Sequence, residues 1–364
     1  MGKMYKEYLP LIVGGLFLTV LIASCKKDHN TPAPTPVPIA TLGLYEYQST
    51  IFRRVIIPIS QVGTVKQIYY SIFDTGSSAM TIDADGLIPA SLITSSGITI
   101  TGDSLLVNGI TVTKQTATLT YGDATSGIKE YGNLAYAVIT IGDANGSVTT
   151  KRIPFFLYYK AIDTQTGNKE DPHYNDIFGV GPNTSFSNLS IASPLSYFDT
   201  KANVTQGFKL SKFDKASYIS NQLTYVKELL TIGLVPDDLS SNGFIMHSLT
   251  HTSAGYSPNI PATISFNGKS IQGTLLFDTG TPAFANIEDP NATVNQTTLA
   301  ANSSVTITTT SGFSYQYTTT SDYNLTQVEN PSFTHDPRTI FSIDFFADNE
   351  FLLDYTNHRI GLKN

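Results

Sequence analysis

Two short stretches of this 364-residue chain hold the side chains best suited to chemistry, and they match each other. Ile72-Phe73-Asp74-Thr75-Gly76-Ser77 and Leu276-Phe277-Asp278-Thr279-Gly280-Thr281 share Phe-Asp-Thr-Gly, and each continues with a hydroxyl residue. Two unrelated Asp-Thr-Gly triplets in a chain this long would arise roughly once in a thousand sequences at ordinary residue frequencies. Two carboxyl groups held close together cannot both ionise and must share a proton, so one serves as base while the other serves as acid. Asp74 and Asp278, so placed, could activate a water for attack on an amide carbonyl without a metal or a covalent intermediate. No cofactor is expected.

The residues beside each Asp suit the support of such a pair. Gly76 and Gly280 permit a tight turn and let backbone N–H groups approach a carboxylate with no Cβ in the way. Ser77 and Thr281 offer hydroxyl donors to the outer carboxylate oxygens. Thr75 and Thr279 can turn inward, each bonding the backbone of the opposite loop. A single Asp-Thr-Gly reads equally well as a strand followed by a polar turn; the matched repeat is what favours chemistry.

Each triplet ends an apolar, strand-like run, and 204 residues separate the two Asp residues, which suits one carboxyl per lobe of a two-lobed body. The length allows two domains, each with its own core. Abundant Thr, Ser, Tyr, Val, Ile and Asn, with 27 Gly and 18 Pro, predict a mostly β protein. Charged residues make up 14% of the chain and the net charge is -7, so the basic footprint of a nucleic-acid binder is absent.

The first 25 residues read as a targeting segment. Lys3 and Lys6 precede an apolar run from Leu9 to Ala23, closed by Ile22-Ala23-Ser24-Cys25, which resembles the bacterial lipobox, whose Cys is acylated and becomes the mature amino terminus. Cys25 is the sole Cys, so no disulfide framework is possible. The run is short for a membrane-spanning helix and contains Gly14 and Gly15. Residues 26–41 carry alternating Pro from Pro32 to Pro38 and read as an extended stalk. By resemblance to lipoprotein sorting rules, Lys26 argues against retention at the inner membrane. The chain is therefore expected to be lipid-anchored through Cys25 in the bacterial cell envelope, at the outer membrane.

Four regions, in order, resemble the pepsin family of aspartic peptidases. Phe73–Ser78 is similar to the family's first active-site loop. Leu119-Thr120-Tyr121-Gly122-Asp123-Ala124-Thr125-Ser126-Gly127 is similar to the hairpin flap that closes over substrate, with Tyr121 matching the flap tyrosine and Gly122 and Asp123 beside it. Asp176-Ile177-Phe178-Gly179-Val180-Gly181 resembles the strand that backs the first loop, and Thr339 to Leu362 reads like the family's terminal strands. Thr263–Ile271, a strand, Asn-Gly turn and strand leading into the second loop, fits as well. The resemblance implies a pepsin-like fold with the cleft between homologous lobes, 42–210 carrying the first loop and flap and 211–364 carrying the second loop. It also implies a monomeric endopeptidase acting on polypeptides. Leu42–Val55 reads either as the first strand or as a short pro-region. The chain departs from the family at Ser342, where a Gly is usual, and in having no Trp to brace Tyr121.

Other residues have plainer readings. His247 and His251 are spaced as metal ligands on a helix would be, but no third ligand stands nearby, and they read as surface histidines. Asp237-Asp238 and the Asp83/Asp85 pair sit in turn-like contexts and read as solvated loops. Asn-x-Ser/Thr triplets such as Asn188-Leu189-Ser190 follow from a Thr- and Asn-rich composition. A rival reading is a pepsin-fold module that binds peptides or glycans without hydrolysis. A nutrient-binding surface lipoprotein explains the anchor but not the repeat, and a retroviral-type homodimer is disfavoured because one chain carries both halves.

Overall fold

The computed structural model describes residues 35–122, 127–184, 188–240 and 242–364. The targeting segment with Cys25, and Asp123, lie outside the described residues. Pro36–Asn364 forms one compact unit. It is built from a 14-stranded and an 8-stranded sheet, with two small two-stranded sheets and short helices such as Pro236–Ser240 and Phe345–Asp348.

Strand burial follows the alternation that a half-buried sheet demands. Ile260, Ala262, Ile264 and Phe266 of the strand Ile260–Phe266 face the core while the residues between them are more exposed. The strands nearest the Asp residues are different. Met80–Asp83, which follows the first loop, and Ile177–Gly179, which backs it, are buried along their whole length.

One arrangement of strands occurs twice. In the first half, Phe52–Val62 pairs antiparallel with Tyr69–Asp74, which runs parallel to Ile177–Gly179; that strand pairs antiparallel with Met80–Asp83, which in turn runs parallel to Gly146–Asp163. In the second half, Ile260–Phe266 pairs antiparallel with Lys269–Phe277, which runs parallel to Arg338–Phe341. That strand pairs antiparallel with Ala285–Glu288, which runs parallel to Thr326–Glu329. The matched sequences thus sit at the ends of matched strands. The Asn267-Gly268 turn between Phe266 and Lys269 has both residues at positive φ, 46° and 73°, as a two-residue hairpin requires.

The 14-stranded sheet takes strands from both ends of the chain. Ala40–Ser49 pairs with Phe52–Val62 on one side and with Thr224–Leu234 on the other, and Thr205–Leu210 joins Thr224–Leu234 to the terminal hairpin Glu350–Asp354 and Arg359–Lys363. The segment left open between strand and pro-region is therefore two strands of the main sheet. Phe52–Val62 also pairs with Gly127–Asp143, which closes the first half on itself.

A buried ion pair ties the first half to the second. Arg53, 1% exposed, bonds Asp344 Oδ1 at 3.2 Å and the Asp322 carbonyl at 2.8 Å, and its guanidinium lies 3.5 Å from the Tyr323 ring centre. Its backbone N–H donates to Pro282 O. Removing either partner of such a pair would strand a buried charge.

Three plain readings need correction. His247 is buried, not on the surface, and lies on the strand Ile245–Ser248, where its ring bonds Thr309 Oγ1 at 2.8 Å and the Ile360 carbonyl at 3.2 Å. His251 is exposed on the strand Thr250–Thr252. Asp238 is buried and pairs with Lys209 at 2.6 Å, and Asp83 is buried beside Asp176 rather than solvated. For His247 and Asp238 a partner distant in sequence supplies the hydrogen bond that makes burial tolerable, while the Asp83 carboxylate accepts from the Asp85 N–H at 2.9 Å.

Candidate active site

Asp74 is the last residue of Tyr69–Asp74, and Asp278 follows directly on Lys269–Phe277. Each chain then turns back on its own carboxylate. Gly76 N–H donates to Asp74 Oδ1 at 2.7 Å, and Gly280 N–H donates to Asp278 Oδ1 at 2.7 Å. Ser77 Oγ donates to Asp74 Oδ2 and Thr281 Oγ1 to Asp278 Oδ2, at 2.5 and 2.7 Å. Ser77 N–H adds a longer bond to Asp74 Oδ1 at 3.2 Å.

The threonines lock the two loops together. Thr75 Oγ1 donates to Phe277 O at 2.8 Å and accepts from Thr279 N–H at 3.0 Å; Thr279 Oγ1 donates to Phe73 O at 2.6 Å and accepts from Thr75 N–H at 3.0 Å. Both side chains are buried, so each bond is made where water cannot compete.

The glycines are there because the opposite carboxyl occupies the space of a side chain. A Cβ on Gly76 would lie 2.5 Å from Asp278 Cγ. A Cβ on Gly280 would lie 2.8 Å from Asp74 Oδ1 and 3.0 Å from Asp278 Oδ1. One methyl-sized space therefore touches an inner oxygen of each carboxyl. Asp74 is 6% exposed, and its carboxyl is raised above the ordinary range first by burial, then by the Asp278 charge and a hydrogen bond with Asp278. The bonds from Ser77 and Gly76 oppose that rise. Two carboxylates this close repel when both are charged, which favours the protonated form of Asp74.

Behind the first loop, Gly179 pairs with Asp74, and a Cβ on it would lie 2.6 Å from Ala79 O; Val180 N–H donates to Asp74 O at 2.7 Å. Behind the second loop stands Ser342. It is buried, and its Oγ donates to Ala283 O at 3.1 Å, so the hydroxyl is a brace.

Tyr121 is the last residue but one of the strand Ile110–Gly122, which pairs antiparallel with Gly127–Asp143, and Gly122 has φ 97°. Its ring packs against the small cluster that contains Leu119, Leu134 and Phe156. Its hydroxyl is pushed far up by burial, then by Glu130 and Asp74, and eased by a hydrogen bond with Thr81. Tyr121 therefore stands within electrostatic reach of the first loop, with Thr81 beside its hydroxyl in a chain that has no Trp. Glu130, fully buried on the strand Gly127–Asp143, lies 3.5 Å from Thr81 Oγ1.

Sequence reasoning missed three participants: Thr81, Glu130 and Arg54. Arg54 Nη1 donates to Gly280 O at 2.5 Å, across 226 residues of chain. Nothing in the local pattern Phe52-Arg53-Arg54-Val55 distinguishes it from a solvated arginine at a strand start.

No family model matches the chain, and no curated protein matches it in sequence. Among solved structures, an aspartic proteinase from Irpex lacteus superposes with a TM-score of 0.53 over 89% of this chain and 97% of its own, at 16% sequence identity. The fold is that of the two-lobed, pepsin-like aspartic proteinases. At that identity the likeness concerns the fold alone; the chemistry has to be argued from the side chains described above.

Proposed function

We propose that this chain is an aspartic-type endopeptidase that hydrolyses peptide bonds with water activated between Asp74 and Asp278. The observation that carries the reading is the space at Gly280, which touches an inner oxygen of both carboxyls. A pair that shares one proton offers a base and an acid to the same substrate carbonyl. The ionised member takes a proton from the water as its oxygen attacks the carbonyl carbon, and the protonated member donates to the carbonyl oxygen. Protonation of the amide nitrogen then lets the C–N bond break. In their supporting roles, Gly76, Ser77, Gly280 and Thr281 orient the carboxylates, while Thr75 and Thr279 hold the loops in register.

The substrate is an extended polypeptide, its backbone pairing in the cleft as an added strand beneath the Tyr121 hairpin, with apolar residues flanking the cut bond. The lobes 42–210 and 211–364 each deliver one Asp. Asp123, next to Gly122, belongs to the same flap in this reading. Acylation at Cys25 and the Pro-rich stalk hold a monomeric catalytic body at the outer membrane of a bacterial envelope.

The test is hydrolysis of dye-labelled casein by soluble protein that begins after Cys25, across pH, with and without pepstatin. The expected result is hydrolysis that pepstatin suppresses. Absence of hydrolysis at every pH, with peptide binding retained, would favour the binding module instead.

A further inference from the structure

The chain has five arginines. Arg53, Arg338 and Arg359 pair with Asp344, Asp336 and Asp354, and Arg152 lies over the Tyr136 ring. Arg54 has no such partner among the described residues. Its single hydrogen bond there is the one from Nη1 to Gly280 O, whereas a guanidinium carries five N–H donors in a planar fork.

Its position makes the unused donors significant. Gly280 is the residue against which both carboxyls close, so Arg54 is fixed at the edge of the dyad. It is half-buried, and the charges of Asp278 and Asp74 act on it. The dyad offers at most one negative charge, whose oxygens are already engaged by Ser77, Thr281 and the Gly76 and Gly280 amides. A cation drawn partly out of water needs acceptors, and a carboxylate with two coplanar oxygens fits the fork best.

We propose that Arg54 binds an acidic side chain of the substrate near the scissile bond and makes the cleft select Asp or Glu at that position. The proposal rests on the peptidase reading for its location and adds an ionic preference to the apolar one. A strand rises about 3.3 Å per residue, so a group at the edge of the dyad reaches side chains within about three residues of the cut bond.

The experiment uses matched peptides with Glu or Gln at each of those positions in turn, comparing kcat/KM for the soluble chain, Arg54→Met and Arg54→Lys. At one position the parent should prefer Glu by about tenfold or more, as a charge-assisted bond implies. Arg54→Met should lose the preference, and Arg54→Lys should keep part of it, having the charge without the fork. The same peptides with the scissile amide reduced are measured for binding by fluorescence polarisation, which reads the preference even from a chain that hydrolyses nothing. A chain without turnover that still binds Glu peptides more tightly would sink the peptidase reading and keep this one. Equal treatment of Glu and Gln by the parent at every position, or a Glu preference that survives Arg54→Met, would overturn it.

Discussion

The two Asp-Thr-Gly loops are nearly identical in sequence and in their own hydrogen bonds, yet their surroundings differ. The first is sealed: Asp74 is buried and takes two backbone bonds and a hydroxyl, Gly179 presses on the backbone behind it, and the Asp74 charge acts on the Tyr121 hydroxyl. The second is more open. Asp278 takes one backbone bond and one hydroxyl, Ser342 finds room behind it, and Arg54 holds its turn from the side. In the peptidase reading the matched loops bring the inner oxygens together, and their unlike surroundings bias which carboxyl holds the shared proton.

The comparison can be broken first at its centre. Gly76→Ala drives a methyl into Asp278 and should lower kcat/KM for peptide hydrolysis by about a hundredfold, the usual cost of displacing a reacting group by an ångström. Activity within a few-fold of the parent would mean that the carboxyls are not in contact. The next largest effect lies behind the loops. Gly179→Ser copies the second half into the first, and with Ala79 O at 2.6 Å the new Cβ has nowhere to go; we expect a loss of about 3 kcal/mol in urea unfolding.

The cover on the first loop gives a pH-dependent prediction. Glu130 is pushed well above the ordinary range by burial and by Asp176 and Asp83, with Thr81 alone opposing. The unfolded chain releases this proton near about pH 4.3 while the folded chain keeps it, so stability falls as pH rises, by up to about 1.4 kcal/mol per pH unit. Glu130→Gln should melt with the parent near pH 4 and above it at pH 8; a variant that melts lower at pH 8 contradicts the burial argument. The smallest effect is Ser342→Ala, which removes the bond to Ala283 O and should cost about 1 kcal/mol, visible as a lower urea midpoint.

What could be read from the sequence follows from how locally each feature is determined. The Asp, Thr, Gly and hydroxyl positions were legible because the chemistry constrains four adjacent residues twice over. The Asn267-Gly268 hairpin was legible because only a few dipeptides tolerate its positive φ. Arg54, Thr81 and the burial of His247, Asp83 and Asp238 were not, since each depends on groups packed around it from elsewhere in the chain. For Arg54 the hydrogen-bond partner is 226 residues away, and for His247 it is Thr309, 62 residues on. Ser342 lay between these cases: its departure from glycine was visible, but the carbonyl it braces was not.

The most direct test of the shared proton is turnover of a cleavable peptide by Asp74→Asn and Asp278→Asn, each compared with the parent at matched melting temperature. If the two carboxyls act as one acid–base pair, either substitution alone abolishes turnover while the fold persists. Undiminished cleavage by either variant would contradict it.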